Sequence, residues 1–437
     1  MEWQLVLILL IGSLIVLLGT GIPVAFAFIV INVIFVFFFW GGGTGLERFT
    51  HTLWDGLARF TLMPVTMFVL LGEVLFRTGM AFRAIDVVDK WLGRVPGRLG
   101  LVTVAAATLL SALSGVSSAT AATLGDTLLP EMEKRGYKRS ISIGSIIGSG
   151  GLAMLIPPSG LAVLWAAIAE VSVGKILIAG IIPGLLIAAF YALYVVGRCW
   201  LQPSIAPPYS PTPTPTSMKL YNTAKYVLPL GLIILMVTGF IFLGISTPSE
   251  SAALGVLGSL ILAAAYRQLN WEMLKSALVR TVRISVMILI IIASSKAFSQ
   301  VLAFTGATQG MVDWVMGMNL PGISLIIVML FTVLFLGMFM NALPIMLITI
   351  PIYLPIVEVL GYPTIWFGLL FLVCIEMSLT TPPYGSILFV MKGVAPAGTT
   401  FGEIVRAGIP FLMCDAMAVA LIIAFPQIAL WLPNLAL

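Results

Sequence analysis

The 437-residue chain is 60% hydrophobic and only 9% charged, which excludes an ordinary soluble domain and describes a polytopic membrane protein. No Gly-rich phosphate loop occurs, so ATP hydrolysis on this chain is excluded. Neither a His/Cys metal cluster nor a Ser-His-acid arrangement is evident, and with one histidine no hydrolase or other enzymatic activity is expected. The net charge of +5 calls for no nucleic-acid partner, because the positions of the cations along the chain account for it.

Two apolar spans open the chain, at residues 3–18 and 23–40. Glu2 and the lack of a small-residue cleavage pattern make the first a retained span rather than a signal peptide. Residues 46–60 read as an interfacial amphipathic helix, 61–76 as a third span, and 81–93 as a second interfacial helix with Phe82, Ile85, Val88 and Leu92 on one face. An apolar segment at 99–113 then runs into Ser114-Gly115-Val116-Ser117-Ser118, and a helical stretch returns to a basic end at Lys134 and Arg135. Basic residues on both flanks predict a re-entrant hairpin with a small, polar tip. A fourth span at 141–169 is interrupted by Pro157-Pro158, since proline cannot donate a backbone hydrogen bond and its ring clashes with the preceding turn. A fifth covers 173–196, and a proline-rich linker follows at 201–220.

After the linker the punctuation repeats. Pro23 matches Pro248, Thr78-Gly79 matches Thr305-Gly306, Pro96-Gly97 matches Pro321-Gly322, Pro157-Pro158 matches Pro382-Pro383, and Pro183 matches Pro410. Helix breakers at a nearly constant offset mark a duplicated set of elements. The expected domains are a first repeat at 1–200 (scaffold 1–93, hairpin 98–135, broken span 141–170, span 173–197) and a second at 221–437. In the second, the scaffold covers 221–318, the hairpin 322–360, the broken span 364–395 and the last span 404–432. Lys and Arg mark cytoplasmic loops. If the first hairpin opens to the cytoplasm, 18 of the 22 Lys and Arg fall inside. The flanks of the second hairpin carry none, so it is expected to enter from outside. The expected fold is therefore all-α, with two inverted-topology repeats, each holding a re-entrant hairpin and a Pro-Pro-broken helix, and with both termini periplasmic.

Irregular backbone at membrane depth survives only when buried in protein or lining a watery cavity. Carbonyls freed at the tips and breaks suit a hard cation such as Na⁺, which predicts two cation sites. Ser114, Gly115, Ser117 and Pro157 are assigned to one, and Gly337, Asn341, Thr380 and Pro382 to the other. Substrate is placed between tips and breaks, at Ser118, Ser159, Asn341, Thr381 and Tyr384, where restarting helices point their N-termini at the cavity and favour a carboxylate. Glu376, one turn before Thr380, is the candidate coupling acid. Serines in membrane helices also serve close packing, which is the competing reading of each of these residues. Transport driven by an ion gradient is the economical function.

The strings Gly150-Gly151-Leu152-Ala153-Met154-Leu155-Ile156-Pro157-Pro158-Ser159, Gly180-Ile181-Ile182-Pro183-Gly184, Ser246-Thr247-Pro248-Ser249-Glu250, and Glu376 through Thr381-Pro382-Pro383-Tyr384-Gly385 to Pro396 resemble the large membrane (DctM-like) subunit of tripartite ATP-independent periplasmic (TRAP) transporters. The resemblance covers essentially the whole chain. It implies an elevator-type, Na⁺-coupled importer of organic acids in the bacterial inner membrane. It also implies two partners, a periplasmic substrate-binding protein and a small four-helix membrane subunit, here expected as a separate chain. The second tip departs from the first in offering mostly Met and Phe beside Asn341. The alternatives are a stand-alone ion-coupled transporter of the same architecture, and a channel or non-transporting scaffold.

Overall fold

A computed structural model describes residues 3–58, 62–93, 95–114, 117–207, 215–383 and 385–436, with only the backbone described at 81, 111–114 and 436. The first half contains α1 (Trp3–Gly19), α2 (Val24–Phe39), α3 (Gly43–Leu57), α4 (Met63–Arg77), α5 (Met80–Leu92), the hairpin arms α6 (Arg98–Ser114) and α7 (Ser117–Lys134), α8 (Arg139–Ser149), α9 (Gly160–Ile168) and α10 (Val173–Leu201). After the linker come α11 (Thr216–Asn222), α12 (Leu228–Phe242), α13 (Pro248–Ala265), α14 (Trp271–Phe304), α15 (Ala307–Gly317), the arms α16 (Gly322–Gly337) and α17 (Ala342–Val359), α18 (Thr364–Leu379), α19 (Ser386–Val394), α20 (Phe401–Ala424) and α21 (Gln427–Ala436). Among the described residues, six helices are long and apolar enough to cross a membrane. Four shorter apolar helices, α1, α2, α16 and α18, have 16 or 17 residues.

Helices α6 to α10 and α16 to α20 run in one order: two hairpin arms, two helices separated by a break, and a long helix. Gly79 and Gly306 occupy the left-handed N-cap of α5 and α15. The Pro157-Pro158 and Pro382-Pro383 bonds are cis. The recurrence departs from the sequence reading at α14, which is one uninterrupted helix of 34 residues. Its first four turns contain Lys275, Arg280 and Arg283, where reading Lys and Arg as loop markers expects a loop. Residues 271–304 contain neither Gly nor Pro, so nothing stops the helix. In the first half, Pro64 near the start of α4 separates it from α3. The last span also differs: α20 ends at Ala424, and Phe425, in extended conformation before Pro426, turns the chain into α21.

The amphipathic helices brace the scaffold. α3 buries a stripe of Gly45, Phe49, Thr52 and Gly56. Thr52 donates a 2.6 Å hydrogen bond to Gln300 of α14. α5 is tied to the base of the first hairpin by Asp89, whose two carboxylate oxygens each lie 2.7 Å from the buried Arg98 guanidinium. The described part of the linker is anchored by the hydrogen bond from Lys138 N to Ile205 O.

Small residues position the broken helices. Gly144 and Gly148 of α8, four residues apart, lie against Ala407 and Phe411 of α20. Gly180 and Gly184 of α10 lie against Leu155 and Ile156, so the irregular backbone of the first break is covered by protein. Gly368 of α18 receives the indole of Trp165 from α9, locking the two halves together at the core. The buried Tyr191 of α10 donates a hydrogen bond across helices to Asp415 of α20.

Candidate functional site

Each break is built from residues that satisfy backbone groups locally. At the first, the chain tightens into a 3-10 turn at Gly150–Met154. Ser159 then caps α9: its hydroxyl accepts from Ala162 N at 3.3 Å and donates to Met154 O at 2.8 Å. At the second, the hydroxyls of Thr380 and Thr381 both donate to Met377 O, at 2.9 and 2.6 Å.

The tips meet the breaks of their own halves. A Cβ placed on Gly150 would lie 3.3 Å from Ser117 O, and one placed on Gly337 would collide with the Ser378 side chain. The structure adds a contact between halves that the repeat did not suggest. Ser117 Oγ, at the first tip, donates a 2.9 Å hydrogen bond to Glu376 Oε2 of α18. Glu376 is buried, and its Oε1 has no hydrogen-bond partner among the described residues. Gly151 lies directly against this carboxyl, with room for no side chain. Ser117 and Glu376 thus bring a hydroxyl and a carboxylate together against the glycine pair, a donor set that fits a hard monovalent cation.

A cavity of about 370 Å³ lies alongside. Four helix starts line it: Ser117 and Ser118 of α7, Gly160 of α9, Asn341 and Ala342 at α17, and Ser386 of α19. Helix N-termini present unpaired N–H groups and the positive end of the macrodipole, so their convergence favours an anion. Asn341 is the N-cap residue of α17 without capping it through its side chain. The opposite wall comes from α4 and α14, including Phe68, Glu73, Arg280 and Ile284. A second cavity, of about 550 Å³, lies between the far part of α14 and the C-terminal ends of α9 and α17, and holds Lys296, Glu170 and Glu358. Lys296 Nζ is 3.7 Å from Glu170 Oε1, so it is ion-paired.

Of the residues assigned from sequence to substrate, Ser118 and Asn341 line the first cavity, whereas Ser159 and Thr381 are engaged in the backbone of the breaks. Tyr384 lies outside the described residues, as do Gly115 and the side chain of Ser114. Of the cation residues, Ser117 and Gly337 are at the tips, Pro157 and Pro382 in the breaks, and Thr380 is buried behind the second break. Arg280 and Glu73 were not singled out as a pair. Adding the repeat offset to the first amphipathic helix, 46–60, would have placed Arg280 on a helix, but only the packing of α14 on α4 brings it to the cavity.

A family model described as "Tripartite ATP-independent periplasmic transporter, DctM component" matches residues 11–428. The chain is 32% identical over 385 residues to the C4-dicarboxylate TRAP transporter large permease protein DctM of Pseudomonas aeruginosa, covering 87% of this chain and 88% of that one. It is 30% identical over 431 residues to the ectoine TRAP transporter large permease protein TeaC of Halomonas elongata, covering 98% and 99%. Among solved structures, the YdaH transporter of Alcanivorax borkumensis superposes with a TM-score of 0.66 over 91% of each chain at 15% identity, a likeness of fold.

Proposed function

Because the chain belongs to the DctM component family of tripartite ATP-independent periplasmic transporters, we propose that it is the large membrane subunit of a Na⁺-coupled importer whose substrate, a small organic acid anion, occupies the first cavity. The convergence of four helix N-termini on that cavity carries this reading, since the arrangement supplies positive potential and backbone donors without a fixed side-chain template. The coupling cations belong at the two tips, the first ligated by Ser117 and Glu376. The chain works with a separate small four-helix membrane subunit and a periplasmic binding protein that delivers the substrate. The two halves are inverted repeats in the inner membrane, both termini are periplasmic, and hairpins and broken helices move as one elevator body against the remaining spans. The first cavity then opens toward the cytoplasm, because Arg280 joins it to a basic surface with Arg77, Lys275 and Arg283.

Relatives are named for C4-dicarboxylates and for ectoine, so succinate and ectoine are the probes of choice. Proteoliposomes holding both membrane subunits, supplied with the binding protein and an inward Na⁺ gradient, should accumulate one of them. Accumulation should vanish when choline replaces Na⁺ or when the binding protein is left out. Full uptake by the large subunit alone would refute the tripartite assignment, and no uptake of either probe under a Na⁺ gradient would refute the organic acid reading.

A further inference from the structure

The wall facing the four helix starts carries the ionised groups that line the first cavity, Glu73 and Arg280. Glu73 is ion-paired by distance with two arginines: its Oε1 lies 2.8 Å from Arg280 Nε, and its Oε2 lies 3.3 Å from Arg77 Nε without an aligned hydrogen bond among the described residues. Two guanidinium groups on one carboxylate leave a net positive charge on this wall. Glu73 is only 13% exposed, whereas Arg280 is 56% exposed. Glu73 approaches Arg280 at Nε, so the two terminal amino groups of the planar guanidinium remain to be offered as a fork. The second cavity, which also borders α14, has no arginine among its described lining residues. Its cation is Lys296, already paired with Glu170.

We propose that Arg280 is a substrate-binding residue of the first cavity alone. Its terminal amino groups take an anionic group of the substrate when the cavity faces the basic end of α14, and Glu73 and Arg77 hold it in position without cancelling its charge. An anion arriving through the second cavity does not meet it, so the two faces of the transporter differ in affinity for the same molecule. This rests on the reading of the first cavity as an organic anion site.

The test uses vesicles holding the complete three-component system in a single orientation, with radiolabelled succinate in counterflow from either side, and succinate binding to the purified membrane complex in nanodiscs. Arg280→Gln should raise the half-saturating succinate concentration on the side of the first cavity by about tenfold or more, the loss of one charge-assisted hydrogen bond, and change the other side by less than about twofold. Arg280→Lys, which keeps the charge and loses the fork, should fall between. Glu73 keeps Arg77 in both variants, so folding is expected to hold, with an unchanged melting midpoint in the absence of succinate. Equal weakening on both sides, or none on either, with wild type active, would overturn the assignment of Arg280 alone. Wild-type complex that neither binds nor exchanges succinate would overturn the anion reading for this probe, and the role of Arg280 with it.

Discussion

The hydrogen bond from Ser117 to Glu376 joins the first hairpin tip to the broken helix of the second half, and a double-mutant cycle measures what it contributes. Ser117→Ala removes the partner of Oε2 and leaves the carboxyl, whose Oε1 is already unbonded, with no hydrogen bond in a buried setting. A hydrogen bond to a charged group is worth about 1.5–3 kcal/mol and one between neutral groups about 0.5–1.5 kcal/mol. Glu376→Gln keeps an oxygen that accepts from Ser117 but removes the charge. If the carboxyl is ionised, Ser117→Ala should destabilise the wild type by about 1.5–3 kcal/mol but the Glu376→Gln background by only about 0.5–1.5 kcal/mol. The coupling between the two substitutions therefore reports the charge state of Glu376. Reversible unfolding by SDS titration in mixed micelles reads all four corners, with Na⁺ present and absent. If Na⁺ is ligated here, the coupling should be larger in Na⁺, where the ion keeps the carboxyl ionised. A loss below about 0.5 kcal/mol for Ser117→Ala in the wild type would refute the claim that this bond holds the tip against α18.

Two further outcomes follow from the glycines. Gly337→Ala should destabilise the protein by about 1–3 kcal/mol and weaken Na⁺ activation of uptake, because its Cβ collides with Ser378; adding Ser378→Gly should recover most of both. Gly180→Ala, whose Cβ would strike the Leu155 carbonyl in the covered break, should lower the melting midpoint, whereas Gly197→Ala in the same helix, with open space around it, should stabilise by about 0.5–1 kcal/mol.

The sequence made the helix breaks legible because proline acts locally: Pro157, Pro158, Pro382 and Pro383 interrupt a helix whatever surrounds them. Residues whose roles depend on a partner far along the chain were harder to place. A repeat pairs each tip with its own break, as Gly337 with Ser378, but gives no reason to look for Ser117 beside Glu376, 259 positions away. Ser159 was assigned to substrate on its position after Pro158, yet the same position makes it the N-cap of α9, where its hydroxyl is engaged by backbone on both sides. Reading Lys and Arg as markers of cytoplasmic loops sets Arg280 in a loop, whereas it lies within α14. A Lys/Arg tally records which side a residue is on and is blind to the helix that carries it, and here the helix decides the chemistry.

The length of α14 has a consequence for the surrounding bilayer. Its 34 residues extend about 51 Å at 1.5 Å per residue, against a hydrocarbon core of about 30 Å. The excess of about 21 Å, roughly fourteen residues at that rise, matches the stretch 271–283, which holds every charged side chain of the helix except Lys296. Tilting to hide the excess would draw Glu272, Lys275, Arg280 and Arg283 toward hydrocarbon, where each charge is penalised. The helix therefore fixes a minimum angle between this protein and its membrane. Acyl chains much longer than the native ones would press on the end that carries Arg280, so the first cavity should respond to membrane thickness.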